Sequence, residues 1–402
     1  MGPSKMSVVF KERNTQDKDF GCFIHRIRIM TQKRSAEGML SDEEKARYDR
    51  QIRVWGAEAQ SRIQNSKVLI CGMRGINMEA IKNIVLAGMS ICVQDHGLVT
   101  PADLGCSGFF VGMDDVGKNI VDVSTPRIQE LNTFAHITSE NRPIELCDDA
   151  FFQQFSIISV ANASEQQITR LNALCRASSP QIALFANWAF GAEGVFISDF
   201  GHDFQFKDDE RPNTDFVPAL KNISFPTITS VLSMPWSKQQ KRYLPLSPAF
   251  IKSGILAKWS NGLLKWASGS RSDPSGAEAV EATTEDVGSN GSSSRRAVLH
   301  AAAHEALVSN GLPVDFLSAQ ELDDLLAQRN APTATVCSIM GSFLAQEIVK
   351  GVSSVGEPGY NTHIFLKDEC SVSLYPMNES MQAPTMRSKA PEAINIHAEV
   401  EL

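Results

Sequence analysis

Up to about residue 205 the chain alternates two hydrophobic rhythms. Nearly uninterrupted apolar runs stand at Lys67–Cys71 (KVLIC), 155–162 (FSIISVAN), 181–187 (QIALFAN) and 194–200 (GVFISDF), and another, SICVQD, ends on Asp95. Runs this short, rich in β-branched residues and apolar on both faces, predict strands buried in a parallel sheet. Between them the apolar positions recur at helical spacing. A helix is predicted from about Asn77 to Ala87, ended by Gly88, and another over SEQQITRLNALCRA at 164–177. Upstream, SDEEKARYDRQIRVWGAEAQSRIQNS begins with Ser41 and has Glu44 three residues on, a capping box, so one or two helices lead into the first strand. Strand-helix-strand units of this length require parallel strands and right-handed crossovers. The predicted fold class is therefore α/β, a doubly wound and mostly parallel sheet.

Near residue 205 the alternation stops. Residues 206–330 predict a helical insertion: short helices through SMPWSKQQKRYLPLSPAFIKSGILAKWSNGLLKW, a disordered loop over 268–294, then helices at 295–311 and 318–329. The loop is assigned on composition, because Ser, Gly and acidic residues leave nothing to bury. An apolar helix at 333–352 and a hairpin over 363–376 return to the first domain, which thus comprises 41–205 and 331–376. Residues 1–40 and 377–402 read as flexible polar tails.

Composition narrows the function classes. With 402 residues, 43% of them hydrophobic, the chain can bury a large core. Its 38 Lys and Arg against 46 Asp and Glu give a net charge of -8, which argues against a nucleic-acid binder. No secretory leader and no long uncharged apolar run are visible, so no membrane partner is expected. The eight cysteines form no C-x-x-C pair, and most lie in apolar strings, the pattern of buried thiols in a reducing compartment. His300 and His304 share a helix face at i, i+4, but without a third ligand they read as packing or surface residues rather than a metal site.

The candidate chemistry lies in KVLICGMRGINME, a strand running into a glycine turn and a helix, as nucleotide sites begin. A working G-x-G-x-x-G turn uses its first glycine to turn, its second to admit the phosphate and its third to let helix and strand touch. Those places hold Gly72, Arg74 and Asn77 here, so only the first is kept. Asp95, 23 residues after Gly72 and at a strand end, stands where an acidic residue binds a ribose hydroxyl. Taken alone, the turn leaves open a working nucleotide site and a structural unit whose site is lost.

The strings YDRQIRVWG (48–56), KVLICGMRGINMEAIKNIVLAG, ADLGCSGFF and CSIMGSFLAQEIVK together closely resemble the adenylation-domain family of ubiquitin-like activating enzymes, and within it the small, Aos-type subunits that serve SUMO. The resemblance covers about 41–205 and 330–376 and implies a Rossmann-like adenylation domain, one of a pair of which only one half binds ATP and magnesium. Compared with the active half, Gly97 replaces the second aspartate of D-x-D, and Asp103, Cys106 and Ser107 stand where Asn, Arg and Gln belong. The phosphate-binding lysine falls on Ile120, after Gly117, and the magnesium aspartate on Ala163, with Ser164 and Ile168 completing that motif's substitutions.

The resemblance therefore implies an inactive adenylation domain that binds no cofactor itself. ATP and Mg belong to an obligate catalytic partner subunit, and SUMO and the SUMO-conjugating enzyme engage the complex. Residence in the nucleus, and also the cytoplasm, follows from the same resemblance. It makes Arg50, in the Y-x-R-Q string, an arginine that crosses the interface to the partner's ATP; an interface salt bridge is the alternative role. No cysteine lies in 206–330, so no thioester is expected on this chain. Trp55 is read as structural. Two alternatives stand beside this reading: the non-catalytic subunit of the neddylation activating enzyme, and a self-sufficient homodimeric nucleotide-binding enzyme.

Overall fold

The computed structural model describes residues 40–106, 110–207, 219–236, 247–269, 289–359, 362–366 and 371–375. Its main sheet has eight strands: β1 (Lys67–Cys71), β2 (Ser90–Gln94), β3 (Ile137–Glu140), β4 (Ile157–Ala161), β5 (Ala183–Phe190), β6 (Glu193–Asp199), β9 (Thr362–Leu366) and β10 (Ser371–Tyr375). Their order is β10-β9-β6-β5-β4-β1-β2-β3. The stretch from β3 to β5 is parallel throughout, whereas β6, β9 and β10 add an antiparallel edge. The doubly wound, mostly parallel class expected from the sequence is what the chain adopts.

Alternation along β1 divides the core. Val68 and Ile70 join one apolar layer with α2 (Gly75–Leu86), α3 (Ile120–Leu131) and α8 (Ala334–Ser353). Leu69 and Cys71 face the other layer, covered by α4 (Glu165–Ala177), α5 (Pro248–Gly269), α6 (Ser289–Ser309) and α7 (Ala319–Gln328). The insertion helices thus finish the second layer of the sheet: Phe250, Leu299 and Leu322 are buried in one cluster with Ile158 and Trp188. The first helix, α1 (Asp42–Gln64), is interrupted at Gly56, whose φ of 86° and ψ of 159° are not helical. No helix among the described residues is long and apolar enough to cross a membrane.

Several expectations need correction. The insertion expected to be helical over 206–330 also holds strand: β7 (Phe204–Lys207) and β8 (Leu220–Ile223) pair as an antiparallel hairpin, and α5 is one helix of 22 residues where short helices were expected. Strands of four residues carry too little alternation to be read reliably from pattern alone. The span 268–294 is helical at both ends, since α5 runs to Gly269 and α6 starts at Ser289; residues 270–288 lie outside the described residues, as do the tails 1–39 and 376–402. The sequence reading passed over α3, whose Asn119 cap accepts hydrogen bonds from the Val121 and Asp122 amides but whose Pro126 obscures the helical pattern.

Candidate functional site

The strand order reverses between β1 and β4, and ligands of doubly wound sheets bind in the crevice at the carboxyl ends of such strands. A cavity of about 310 Å³ lies there, lined among others by Gly72, Arg74, Asp95, Asp103, Ala161 and Asn162. Gly72 makes the turn at φ +83°, and a Cβ on it would stand 3.2 Å from the Ala161 methyl, so the position requires glycine on both counts. The amino end of α2 opens onto this crevice through Gly75 and Ile76, as in a phosphate cradle.

The cradle is filled by the chain's own side chains. Asp95 Oδ2 accepts from the Met73 amide at 2.8 Å, so a carboxylate sits on a turn N–H that a phosphate oxygen would otherwise use. Its Oδ1 accepts from the Gly97 amide at 2.8 Å. Arg74 donates through Nη1 to Asp103, approaches Asp95 Oδ2 to 3.9 Å with Nε, and donates to the Leu98 carbonyl at 3.4 Å. Asp103 is fixed in turn, Oδ2 accepting from both the amide and the hydroxyl of Thr100 at 2.7 Å. A methyl at Gly97 would lie 2.8 Å from Arg74 Nη2 and 3.0 Å from Asp95 Oδ1, so a side chain there would displace the guanidinium from its present place.

Asn77 acts from below. Fully buried, its Nδ2 donates to the Cys71 and Gly72 carbonyls at 2.9 and 3.1 Å. Its Oδ1 accepts from Ser159 Oγ at 2.7 Å and Asn187 Nδ2 at 2.8 Å. The third glycine's contact between helix and strand has become a polar bolt joining α2 to β1, β4 and β5. Replacing Asn77 by Ala leaves several of these groups buried without partners, and a loss of about 2 kcal/mol in urea unfolding is expected.

Of the residues singled out from the sequence, Gly72, Arg74 and Asp95 meet in the crevice. Ile120 and Ala163 are buried beside it, and neither lines it. The Ile120 amide donates to the Gly97 carbonyl at 3.0 Å, and Ala163 precedes Ser164, the cap of α4. Arg50 is exposed on α1 and does not line the crevice. Sequence reasoning missed Ser159 and Asn187, which belong to strands of uniform burial with no motif to mark them. Asn162, at φ +51°, carried no signal either.

As filled, the crevice is a poor match for a triphosphate. Three carboxylates, Asp95, Asp103 and Glu145, line it with one guanidinium, Arg74, already engaged, and no lysine is among the lining residues. A triphosphate brought here would meet excess negative charge with nothing to offset it. Two of the thiols are poor nucleophiles: burial, and then neighbouring thiols, push Cys71 well above its usual range, and burial pushes Cys175 up to about 12. Iodoacetamide at neutral pH is expected to label Cys71 and Cys175 only after denaturation, as peptide mass spectrometry would read out. His300 is turned to Asp323, its Nε2 3.2 Å from Oδ1, beside Arg296.

Comparison with known proteins gives three findings. The model of the ThiF family matches residues 48–390. SUMO-activating enzyme subunit 1 of Homo sapiens is 30% identical over 356 residues, spanning 84% of this chain and 96% of that protein. The Dictyostelium discoideum protein of the same name is 28% identical over 313 residues, 77% of this chain and 86% of its own.

Proposed function

Because the chain belongs to the ThiF family, in its SUMO-activating enzyme subunit 1 branch, we propose that it is the non-adenylating, regulatory subunit of a SUMO-activating enzyme. It pairs with a catalytic subunit that holds ATP and magnesium, adenylates the SUMO carboxyl terminus and carries SUMO onward as a thioester to the conjugating enzyme. The observation that carries this reading is Arg74, folded across the glycine turn onto Asp103 beside an Asp95 that already occupies the Met73 amide. A fold that keeps the turn but fills it with internal charge supports a subunit whose chemistry lies elsewhere.

In the same reading Arg50 is this chain's direct contribution. An arginine supplied across an interface stays protonated and can bond two phosphate oxygens at once. Exposed on α1, Arg50 has no hydrogen bond or ion pair within the described residues that would hold it back. Residence in the nucleus belongs to this proposal as well.

ATP–pyrophosphate exchange separates the possibilities. With SUMO present, exchange is expected from the reconstituted pair and not from this chain alone. Robust exchange by the purified chain would make it a self-sufficient adenylating enzyme and overturn the proposal.

A further inference from the structure

The helix that bears Arg50 is built in two parts with different footing. Beyond Gly56 it is bolted down: Gln60 is fully buried and donates to the Ala87 carbonyl at 3.0 Å, Ile63 is fully buried, and Arg62 Nε donates to the Ser353 carbonyl at 2.8 Å. Before Gly56, the arm Arg50–Trp55 stands over a groove of about 500 Å³ bounded by α2 and α8, with Val54 76% exposed. Tyr48 is buried just ahead of the arm and Gln51, Ile52 and Trp55 are half-buried on it, so packing holds the arm and a few specific features refine its direction. Gln51 Nε2 donates to the Leu86 carbonyl at 3.3 Å, and Trp55 Nε1 donates across the kink to Gln60 Oε1 at 2.9 Å.

The kink supplies the third feature. Its φ of 86° and ψ of 159° fall in a region open essentially to glycine alone, and no atom lies within 4 Å of where a Cβ would be. The space is empty, so glycine is demanded there by backbone conformation and not by crowding.

We propose that Gly56, with the Trp55-to-Gln60 hydrogen bond, is a positioning device that sets the direction of the arm and so places Arg50 for the phosphates in the partner's site. This rests on the reading that Arg50 serves that site. Arg50 lies six residues from the hinge, about 9 Å along the helix, so a modest change of angle at Gly56 moves it by several ångströms. Misplacement of a catalytic group by even 1 Å is enough to slow chemistry about a hundredfold.

The reconstituted pair tests this by ATP–pyrophosphate exchange, with the Kd of assembly measured alongside. Gly56→Ala is expected to lower kcat/KM for ATP by about a hundredfold, the loss that Arg50→Ala itself produces, with assembly unchanged. Trp55→Phe, which keeps the ring but loses the N–H, is expected to lower it about threefold and serves if Gly56→Ala does not fold. Combined with Arg50→Ala, neither change should add to the loss that Arg50→Ala alone produces, because a residue acting only through Arg50 has nothing left to position. Wild-type rates in both variants, losses that multiply with that of Arg50→Ala, or a loss explained by weaker assembly would each overturn the device while leaving Arg50's own role intact. An Arg50→Ala pair as fast as wild type would instead remove the role of Arg50 itself, and the device with it.

Discussion

Arg50→Ala in the reconstituted pair is expected to slow SUMO-dependent ATP–pyrophosphate exchange by about a hundredfold, the effect of removing one preorganised donor from developing negative charge. Assembly and thermal stability of this subunit should hardly move. Arg50 is exposed, and within the described residues it anchors nothing whose loss would be felt. Substitutions at such positions usually stay within about 0.5 kcal/mol. Arg50→Lys should recover only part of the rate, because an ammonium keeps the charge but not the planar fork that bonds two oxygens together. Full-speed exchange by the Arg50→Ala pair would leave Arg50 an interface residue and nothing more.

Gly341→Val should cost the fold about 3 kcal/mol or more. Gly341 is buried where α8 crosses α2. A Cβ there would stand 2.6 Å from Glu79 Cβ, 2.9 Å from the Ile76 carbonyl oxygen and 3.0 Å from the Ala80 amide nitrogen. Two of those three neighbours are backbone, which has no rotamer to yield, so the helices must separate. Better helix propensity returns less than about 1 kcal/mol and does not offset the collision. The displaced element is α2, whose first turn carries the crevice, so the urea midpoint should fall and the Arg74 contacts loosen together. A midpoint equal to wild type would show that the crossing is looser than these distances require.

The two predictions draw on different kinds of information. Arg50 stood out in the sequence because a short motif preserves it, and a motif is local. Gly341 did not, since the apolar run 333–352 reads as a helix whatever its small residues are for. Only the crossing with α2, which joins segments more than 250 residues apart, makes that glycine necessary.

The same division runs through the crevice. From the text alone, Arg74 and Asn77 mark a glycine turn that has lost its second and third glycines. Their roles are opposite, however. Arg74 closes the cradle from above by pairing with Asp103, whereas Asn77 lies beneath it and binds α2 to three strands. Ile120 and Ala163 were read as places where the charged partners of a nucleotide are missing, and the fold buries both outside the cavity lining.

The sequence by itself determined the buried strands and amphipathic helices, hence the doubly wound sheet, because hydrophobic period is a property of neighbouring residues and survives without knowledge of what lies across the core. It also showed that only the first of the turn's three glycines is kept. What only the tertiary structure decided is how that turn is filled, that the insertion helices complete the second layer, and that the helix bearing Arg50 breaks at a glycine. Those depend on distances between residues remote in sequence, and on backbone angles that no pattern of side chains encodes.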